Sequence, residues 1–425
     1  MGWARNFCIN HAAWEMMQKQ KLLVIGGGAS GFFCAVNAAR IHPHLKVILL
    51  EKSSKLLSKV KVSGGGRCNV THQSDEVGDM LHAYPRGMRL LKKTLHQFSP
   101  NDTVQWFEER GVKLNVEDDG RLFPVTNNSQ TVIDCLLREA QQYKVEIQTN
   151  TDVLAIHHNN TQFVLSIKKE NSIVQEITAD QVVVATGGHP KLEGFNWLSA
   201  LGHTVSSPVP SLFTFNIPDK RLHELMGIAV KEAVVKIPSL KAVEEGPVLI
   251  THWGLSGPAV LKLSSRCARE LHELDYAFDV VVNWFPEYHE STALDYLKSA
   301  KQFTKGLVSS KSLSGLGSRL WNYLLFRSGI DASAHWGELS HAQMVALSKT
   351  LCNDQYRAMG KTTFKEEFVT AGGISLQEID ANTMESKKVK GLYFAGEVMD
   401  VDGITGGYNF QHAWTSGWIV ANSIT

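Results

Sequence analysis

The sequence is short of cysteine, of net charge and of long apolar runs. Its six cysteines (Cys8, Cys34, Cys68, Cys135, Cys267, Cys352) are scattered. None forms C-x-x-C, and the spacing matches neither a disulfide framework nor a zinc site. Reduced thiols in a cytoplasmic protein, with no metal, are the expectation. Lys+Arg 43 against Asp+Glu 42 leaves a formal +1. No basic footprint for nucleic acid or an anionic membrane follows from that balance, so neither partner is expected. Two stretches lack charge, 22–39 and 403–425. The first is explained by its glycines, and the second is interrupted by Asn409, Gln411, His412 and Asn422. Neither reads as a membrane span. Residues 1–20 have no continuous apolar core and carry Glu15, so a signal peptide is not indicated. Asn6 stands where a myristoylation signal wants Ser or Thr. We expect 1–20 to be a disordered leader or a mis-assigned start, with Met16 or Met17 beginning the protein.

What is present is ordered around residues 21–69. Lys21-Leu-Leu-Val-Ile25 reads as a buried strand, and a helical stretch runs to Arg40. Between them Gly26, Gly28 and Gly31 fit G-x-G-x-x-G. The first permits a tight turn, the second lets backbone approach a pyrophosphate, and the third lets helix and strand pack closely. A helix starting near Ala29 would aim its N–H groups and positive dipole end at phosphates. The strand Lys46–Leu50 ends in Glu51, placed to accept ribose hydroxyls. A dinucleotide site is the expectation.

After Glu51 a basic stretch, Lys52 to Lys61, leads into Ser63-Gly-Gly-Gly-Arg-Cys-Asn69, read as a loop whose amides converge on an anion or a flavin edge. The spacing predicts a helix over 99–110, short strands over 112–125 around the turn Asp118-Asp119-Gly120, and a helix over 131–143. Strands are expected over 145–169. His157 and His158 then face opposite sides and are no metal pair. Gln181-Val-Val-Val-Ala-Thr-Gly-Gly188 reads as a buried strand ending beside a ligand. Prolines then punctuate short β-like runs over 204–237. Val248 to Pro258 reads as strand, turn and helix start, with Ser256 the N-cap and a helix over 259–271. A strand is expected over 280–284, and helices over 291–300, 317–326 and 340–351. Thr370-Ala-Gly-Gly-Ile374 reads as a glycine turn. A strand ending at Gly396-Glu397 precedes Gly403-Ile-Thr-Gly-Gly-Tyr-Asn-Phe410 and a final helix. Such a helix N-terminus suits a second polar region of one long ligand, such as a reduced flavin ring. No second G-x-G-x-x-G occurs, so no separate nicotinamide domain is visible. At 425 residues, two or three domains are expected.

Several motifs together resemble a known family. Gly-Gly-Gly-Arg-Cys-Asn (64–69), Thr-His-Trp-Gly-Leu-Ser-Gly-Pro (251–258), Gly-Leu-Tyr-Phe-Ala-Gly-Glu (391–397), Asp400, Asp402 and Gly-Gly-Tyr-Asn-Phe-Gln (406–411) are similar to those of the BaiN/YhiN-like FAD-dependent oxidoreductases, which include aminoacetone-oxidase-like flavoproteins. Lys61 replaces a usual apolar residue, and Ser58 a frequent Arg. The resemblance runs from about Lys21 to the end. It implies an α/β architecture: a glutathione-reductase-type FAD-binding Rossmann domain (21–190 and 371–425), an inserted β-barrel-like module (191–275 and 351–370) and a helical subdomain (276–350). By similarity, FAD contacts fall on Gly26, Gly28, Ala29, Ser30 and Gly31, on Glu51 and Lys52, and on Ser63, Gly64, Gly65, Gly66, Arg67, Cys68 and Asn69. Further contacts are Val153, through its backbone, with Ala185, Thr186 and Gly187. The C-terminal contacts are Gly396, Glu397, Asp400, Gly406, Gly407, Tyr408, Asn409 and Phe410. The function so implied moves a hydride between a small organic substrate and flavin N5, with NAD(P)H or oxygen in the other half-reaction. Arg67, His252 and Tyr408 are candidates to orient or polarise substrate. An FAD-dependent RNA-modifying enzyme and a non-enzymatic flavin-binding protein are the alternatives.

Overall fold

The computed structural model describes residues 20–74, 76–159, 161–169, 172–310, 312, 315–362 and 369–425. The leader expected over 1–20 lies outside the described residues, apart from Gln20. The chain divides into two compact units, 1–209 with 369–425, and 210–368.

The first unit is built on a five-stranded parallel sheet. In chain order its strands are β1 (Lys21–Ile25), β2 (Lys46–Leu50), β3 (Glu146–Gln148), β4 (Gln181–Val184) and β5 (Leu392–Phe394), arranged spatially as β5-β4-β1-β2-β3. Leu22 to Val24 and Val182 to Val184 are wholly buried, as expected of strands covered on both faces. Helix α1 (Ala29–Ile41) follows β1, and helix α2 (Tyr408–Ser423) closes the chain. They pack on each other where Gly417 leaves room. A Cβ there would stand 2.8 Å from the Ser30 carbonyl oxygen and 3.1 Å from the Cys34 nitrogen. The helix expected over 99–110 forms over Pro100–Glu108. Ser99 and Asp102 make a reciprocal capping box. The Trp106 indole donates to Asn37 Oδ1 of α1 (3.0 Å), so the helix is pinned to the same core. Antiparallel hairpins at Leu114–Val116 with Arg121–Pro124, and at Thr151–His158 with Phe163–Lys169, complete the expected strands.

The second unit is one rolled antiparallel sheet with helices against it. Its spatial order is Asp354–Met359, Ala277–Asn283, Ala229–Ile237, Ala242–Ile250, Gly254–Ser256, Thr214–Asn216, Lys361–Thr362. The two end strands are consecutive in the chain and separated by Gly360 alone. The sheet must therefore curl until its edges meet. Gly360 bonds to both sides of the seam, its N–H to Tyr276 O (2.8 Å) and its C=O to Asn216 N–H (3.2 Å). The architecture is barrel-like for that reason. Helices Glu290–Phe303, Ser318–Arg327 and His341–Cys352 form near the expected positions. Trp284, Trp321 and Trp336 are fully buried, in one apolar core with the strands.

Three local expectations are corrected. The glycine turn at 370–374 is instead a strand, Val369–Ile374. Gly372 and Gly373 serve close approach there: a Cβ at Gly372 would meet Ser207 O at 2.6 Å. Ser256 ends a strand and does not cap the next helix. Its hydroxyl accepts from Thr214 (3.0 Å), and Gly257 holds the cap position. The helix over 259–271 is two, Pro258–Arg266 and Ala268–Glu273, broken at Cys267.

Candidate FAD-binding site

Three neighbouring parallel strands end together. Ile25 of β1 accepts from Ala185 N–H (2.8 Å), and Val184 of β4 accepts from Ala395 N–H (3.0 Å). The segments leaving those strands are Gly26 to Gly31, Ala185 to Gly187, and Gly396-Glu397. They emerge side by side at the carboxyl end of the sheet, where open α/β sheets bind ligands. The two ends of the chain meet here. A Cβ on Gly396 would stand 2.5 Å from Ser30 Oγ.

The three fingerprint glycines differ in what surrounds them. A Cβ on Gly26 would overlap the Ala185 carbonyl, and one on Gly31 would overlap the Gly26 carbonyl. Those two serve the turn and the helix–strand packing. A Cβ on Gly28 would meet nothing within 4 Å. Gly28 therefore borders open space, and it is also the N-cap of α1. No side chain caps that helix, and no acid stands in its first turn. Its N-terminal N–H groups and dipole end are left for an anion. A cradle that is bare at its central glycine and uncapped fits the pyrophosphate of FAD.

Glu51 lies directly beneath this turn. Its Oε2 accepts from Gly27 N–H (2.8 Å), and its Oε1 from the N–H and hydroxyl of Ser53 (2.8 Å each). Its backbone joins Gln148 and Thr151, each at 2.9 Å. That places the strand carrying Val153 beside it. Lys52 is exposed.

The Ser63–Asn69 segment is a loop, as expected, after a short helix starting at Ser58. Ser63, Gly64 and Gly65 have non-helical backbone. Arg67 folds back on its own loop, its Nε donating to Gly64 O (3.3 Å). It donates to Glu117 Oε1 (2.6 Å), and its guanidinium lies 3.9 Å from the Phe123 ring centre. Burial pushes the Cys68 thiol up to about 12, so it is no nucleophile at neutral pH. Asn69 ties this loop to α2. With its amide oriented to suit its neighbours, the oxygen accepts from Gly407 N–H (3.0 Å) and the nitrogen donates to Thr71 O (2.9 Å).

The C-terminal residues divide by task. Asn409 closes its own loop, accepting from Gly403 N–H (2.8 Å) and donating to Gly403 O (2.9 Å). Glu397 accepts from Thr370 N–H (2.9 Å) and pairs with Lys59 (2.6 Å). This links the basic stretch to the last strand's exit. Asp400 joins Ile374 through its backbone N–H (3.0 Å). Asp402 is fully buried against Arg86 in a bidentate pair. Gly406 and Gly407 lead into α2, which also has no side-chain cap. Phe410 stacks on Trp414.

Tyr408 is the first residue of α2. Its ring lies against His72 (centroids 4.7 Å, 26° between planes) and meets Tyr84 edge-on at 5.8 Å. Its backbone oxygen accepts from the Tyr84 hydroxyl (2.8 Å). His252 sits in the second unit, on an exposed turn beside Trp253. That turn is built by Thr251 Oγ1, which accepts from the N–H groups of Trp253 and Gly254.

Two polar residues here were not among the site candidates read from the sequence. His72 bonds through Nδ1 to Gly406 O (3.1 Å). The acceptor is a carbonyl, so Nδ1 carries the proton. His412 is buried in α2, and burial pushes its pKa down to about 4. Neither lies in a glycine or acid pattern that would mark it. The Asp118-Asp119-Gly120 turn forms as expected, with Gly120 N–H on Glu117 O (2.9 Å). Among the described residues no group of acids, histidines and cysteines could hold a metal, and no helix is long and apolar enough to cross a membrane.

Comparison with known proteins gives the family and the fold class. Residues 20–423 match the family described as HI0933-like protein Rossmann domain. A ribosomal RNA dihydrouridine synthase of Escherichia coli (strain K12) is 31% identical over 421 residues, covering 96% of this chain and 98% of the relative. A 3-dehydro-bile acid delta(4,6)-reductase of Clostridium scindens is 29% identical over 418 residues, covering 94% and 98%. Among solved structures, a 3-ketosteroid-delta4-(5alpha)-dehydrogenase from Rhodococcus jostii RHA1 has a similar fold (TM-score 0.51, 12% identity, 95% of this chain and 97% of that one). So does a flavocytochrome c3 fumarate reductase (TM-score 0.51, 18% identity, 100% and 81%). The chain belongs to the HI0933-like Rossmann-domain family, of BaiN/YhiN type, and is an FAD-dependent oxidoreductase.

Proposed function

We propose that this protein reduces a carbon–carbon double bond conjugated with a carbonyl group. The observation that supports it is the bare cradle at Gly28 together with two full-length relatives whose names share one chemistry. Dihydrouridine is a uracil whose 5,6 double bond, conjugated with the C4 carbonyl, has been saturated. A delta(4,6)-reductase acting on a 3-dehydro compound saturates double bonds conjugated with a ring ketone. When bound, FAD supplies the two-electron chemistry, with hydride exchanged at N5.

The chain's own residues do the holding. Gly26 to Gly31 and the start of α1 would take the pyrophosphate, and Glu51 with the Val153 strand the adenosine end. Gly396 and Glu397 would take the ribityl chain. Residues 63–69 and 406–410 would flank the ring. Arg67 and Asn409 are committed to Glu117 and Gly403, so we assign them to shaping these loops. NAD(P)H is the electron donor in this reading. It would act transiently at the exposed flavin face, since the sequence carries one G-x-G-x-x-G. The compartment is the cytoplasm, in keeping with five buried free thiols among the described residues.

The acceptor we favour is a uracil ring in ribosomal RNA. The relative above 30% identity carries that activity in its name. The run Lys52 to Ser74, which follows Glu51, holds no acid and carries Lys52, Lys55 and Lys61 in addition to the ion-paired Lys59 and Arg67. Such cations suit RNA phosphates. A small unsaturated oxo compound is the second reading, favoured by the formal +1 of the whole chain. Anaerobic protein reduced with NADPH is mixed with ribosomal RNA from a host strain lacking the gene, or with a 3-oxo-4,6-diene steroid. Return of the oxidised flavin spectrum, with product two mass units heavier, is expected from one of them. Reoxidation by neither would exclude the reading.

A further inference from the structure

We propose that the Tyr408 hydroxyl is the proton donor of this reduction, and that His72 is the positioning residue that holds its ring. The inference rests on the reading above, because a hydride added to one carbon of a conjugated double bond leaves the other carbon needing a proton.

Tyr408 is immobilised on several sides. His72 lies flat against its ring at 4.7 Å, and Tyr84 meets it edge-on. A Cβ at Gly406 would stand 2.7 Å from its Cε2, and one at Gly403 the same distance from its Cβ, so those glycines close tightly around it. His72 is itself fixed by its Nδ1–H bond to Gly406 O. Packing of this kind removes the rotamer freedom that would otherwise blur a catalytic geometry.

The hydroxyl is treated differently from the ring. It makes no hydrogen bond to any described residue, although the neighbouring Tyr84 hydroxyl does. It is also absent from the sealed-in polar atoms that lack partners, so it keeps contact with the solvent side of the loop. A ring locked by packing thus carries at its tip a donor that the protein leaves open on the solvent side. Tyr84, wholly buried and bonded, shows what a structural tyrosine looks like in the same cluster. Burial also pushes the Tyr408 phenol up to about 12, so it carries its proton at neutral pH. The residue opens α2, and residues 406–410 are the segment assigned to the flavin ring.

The step balances as follows. The substrate π bond opens as the hydride supplied by reduced FAD forms a C–H bond at the β-carbon (C6 of a uracil). The Tyr408 O–H bond breaks, and its proton forms the second C–H bond at the α-carbon (C5). The alkene gains two electrons and two hydrogens. With FAD bound, the hydride and its two electrons would come from the reduced cofactor, and a nicotinamide donor would regenerate it. The phenolate recovers its proton from water.

Tyr408→Phe keeps the ring and removes the donor. Three quantities are measured: FAD affinity of the apoprotein by quenching of flavin fluorescence, flavin reduction by NADPH, and anaerobic reoxidation by the acceptor that wild type reduces. The expected result is FAD affinity within threefold of wild type and a slowdown confined to reoxidation, of about 100-fold or more, the usual effect of losing a general acid. His72→Ala should slow the same step, and His72→Phe, which restores a flat ring, should recover most of it. Reoxidation of Tyr408→Phe within threefold of wild type overturns the inference alone. So does a tenfold loss of FAD affinity, which would make Tyr408 a cofactor contact. A wild type that reduces neither acceptor overturns the functional reading, and this inference with it.

Discussion

Gly28→Asp separates the cofactor cradle from the fold. In the apoprotein the substitution is benign. Gly28 has φ −90° and ψ −169°, an extended conformation open to any residue, and its Cβ would meet nothing within 4 Å. It is the N-cap of α1, where no side chain now accepts from the helix N–H groups. Asp is among the preferred residues there, and it also complements the dipole. The apoprotein should gain a few tenths to about 1 kcal/mol. With cofactor the sign reverses. A carboxylate about 5 Å from one phosphate charge, at an effective dielectric near 20, is repelled by about 3 kcal/mol. That is roughly a hundredfold in Kd from one phosphate alone. The aspartate would also occupy the amides meant for the pyrophosphate. Gly31→Ala should behave oppositely, since its Cβ overlaps the Gly26 carbonyl and the backbone must move. A cost of about 2 kcal/mol or more is expected of such a clash. The assays are urea unfolding of both apoproteins and the flavin absorption of both purified proteins. Gly28→Asp should be colourless and stable, and Gly31→Ala unstable. A Gly28→Asp protein holding one FAD per chain would show that this turn is not the pyrophosphate site.

Other outcomes follow from the same geometry. His412 is buried with a pKa of about 4 against an ordinary 6.5. The unfolded chain therefore binds a proton between those values that the folded chain refuses. Stability is complete above pH 6.5, falls as pH drops, and stops falling near pH 4. Roughly 2 kcal/mol should be lost between pH 6.5 and 5. His412→Gln, followed by urea unfolding at both pH values, should remove that part of the slope, and an unchanged slope would refute it. Asp402→Asn removes the charge of the bidentate partner of the Arg86 guanidinium, of which little is exposed. A loss of about 3 kcal/mol is expected. Arg86→Met with Asp402→Leu should be less damaging than Asp402→Asn alone, as read by thermal unfolding. Glu397→Gln removes the carboxylate that pairs with Lys59, a half-exposed partner. It should change stability by under about 1 kcal/mol, because solvent screens such pairs. An FAD affinity that falls with it would assign Glu397 to the cofactor.

The strand, glycine turn and helix of the candidate cradle were legible because their requirements are local. Strand, glycines and helix are consecutive from Lys21 to Arg40. The requirement for a missing side chain at Gly26 and Gly31 is a backbone requirement that sequence records directly. The glycines at 372 and 373 show the limit of that rule. Glycine reports that something comes close, and the chain alone does not say whether it is a turn, a ligand or another strand. Here it is backbone at Ser207 and Val398. Ser256 failed as a cap for a related reason. An N-cap hydroxyl competes with every other donor and acceptor the fold brings near, and Thr214, 42 residues away in sequence, took it.

What could not be read from sequence is the division of labour among polar residues once the loops had met. Arg67, Asn69 and Asn409 lie in the motifs that identify the family, yet Glu117, Gly407 and Gly403 engage their side chains. Arg67 and Asn69 hold their loop against distant segments, and Asn409 closes its own. His72 has no motif, and it reaches the site because a two-residue strand, Thr71–His72, pairs with Arg121–Pro124 and turns it toward Gly406. Motif residues thus build the frame, and the frame selects which donors remain unused. In the 406–410 segment, Asn409 is closed on its own loop and Gly407 on Asn69, while the Tyr408 hydroxyl is left over. The side chain able to act on a substrate there is found by subtraction, after every other hydrogen bond has been assigned.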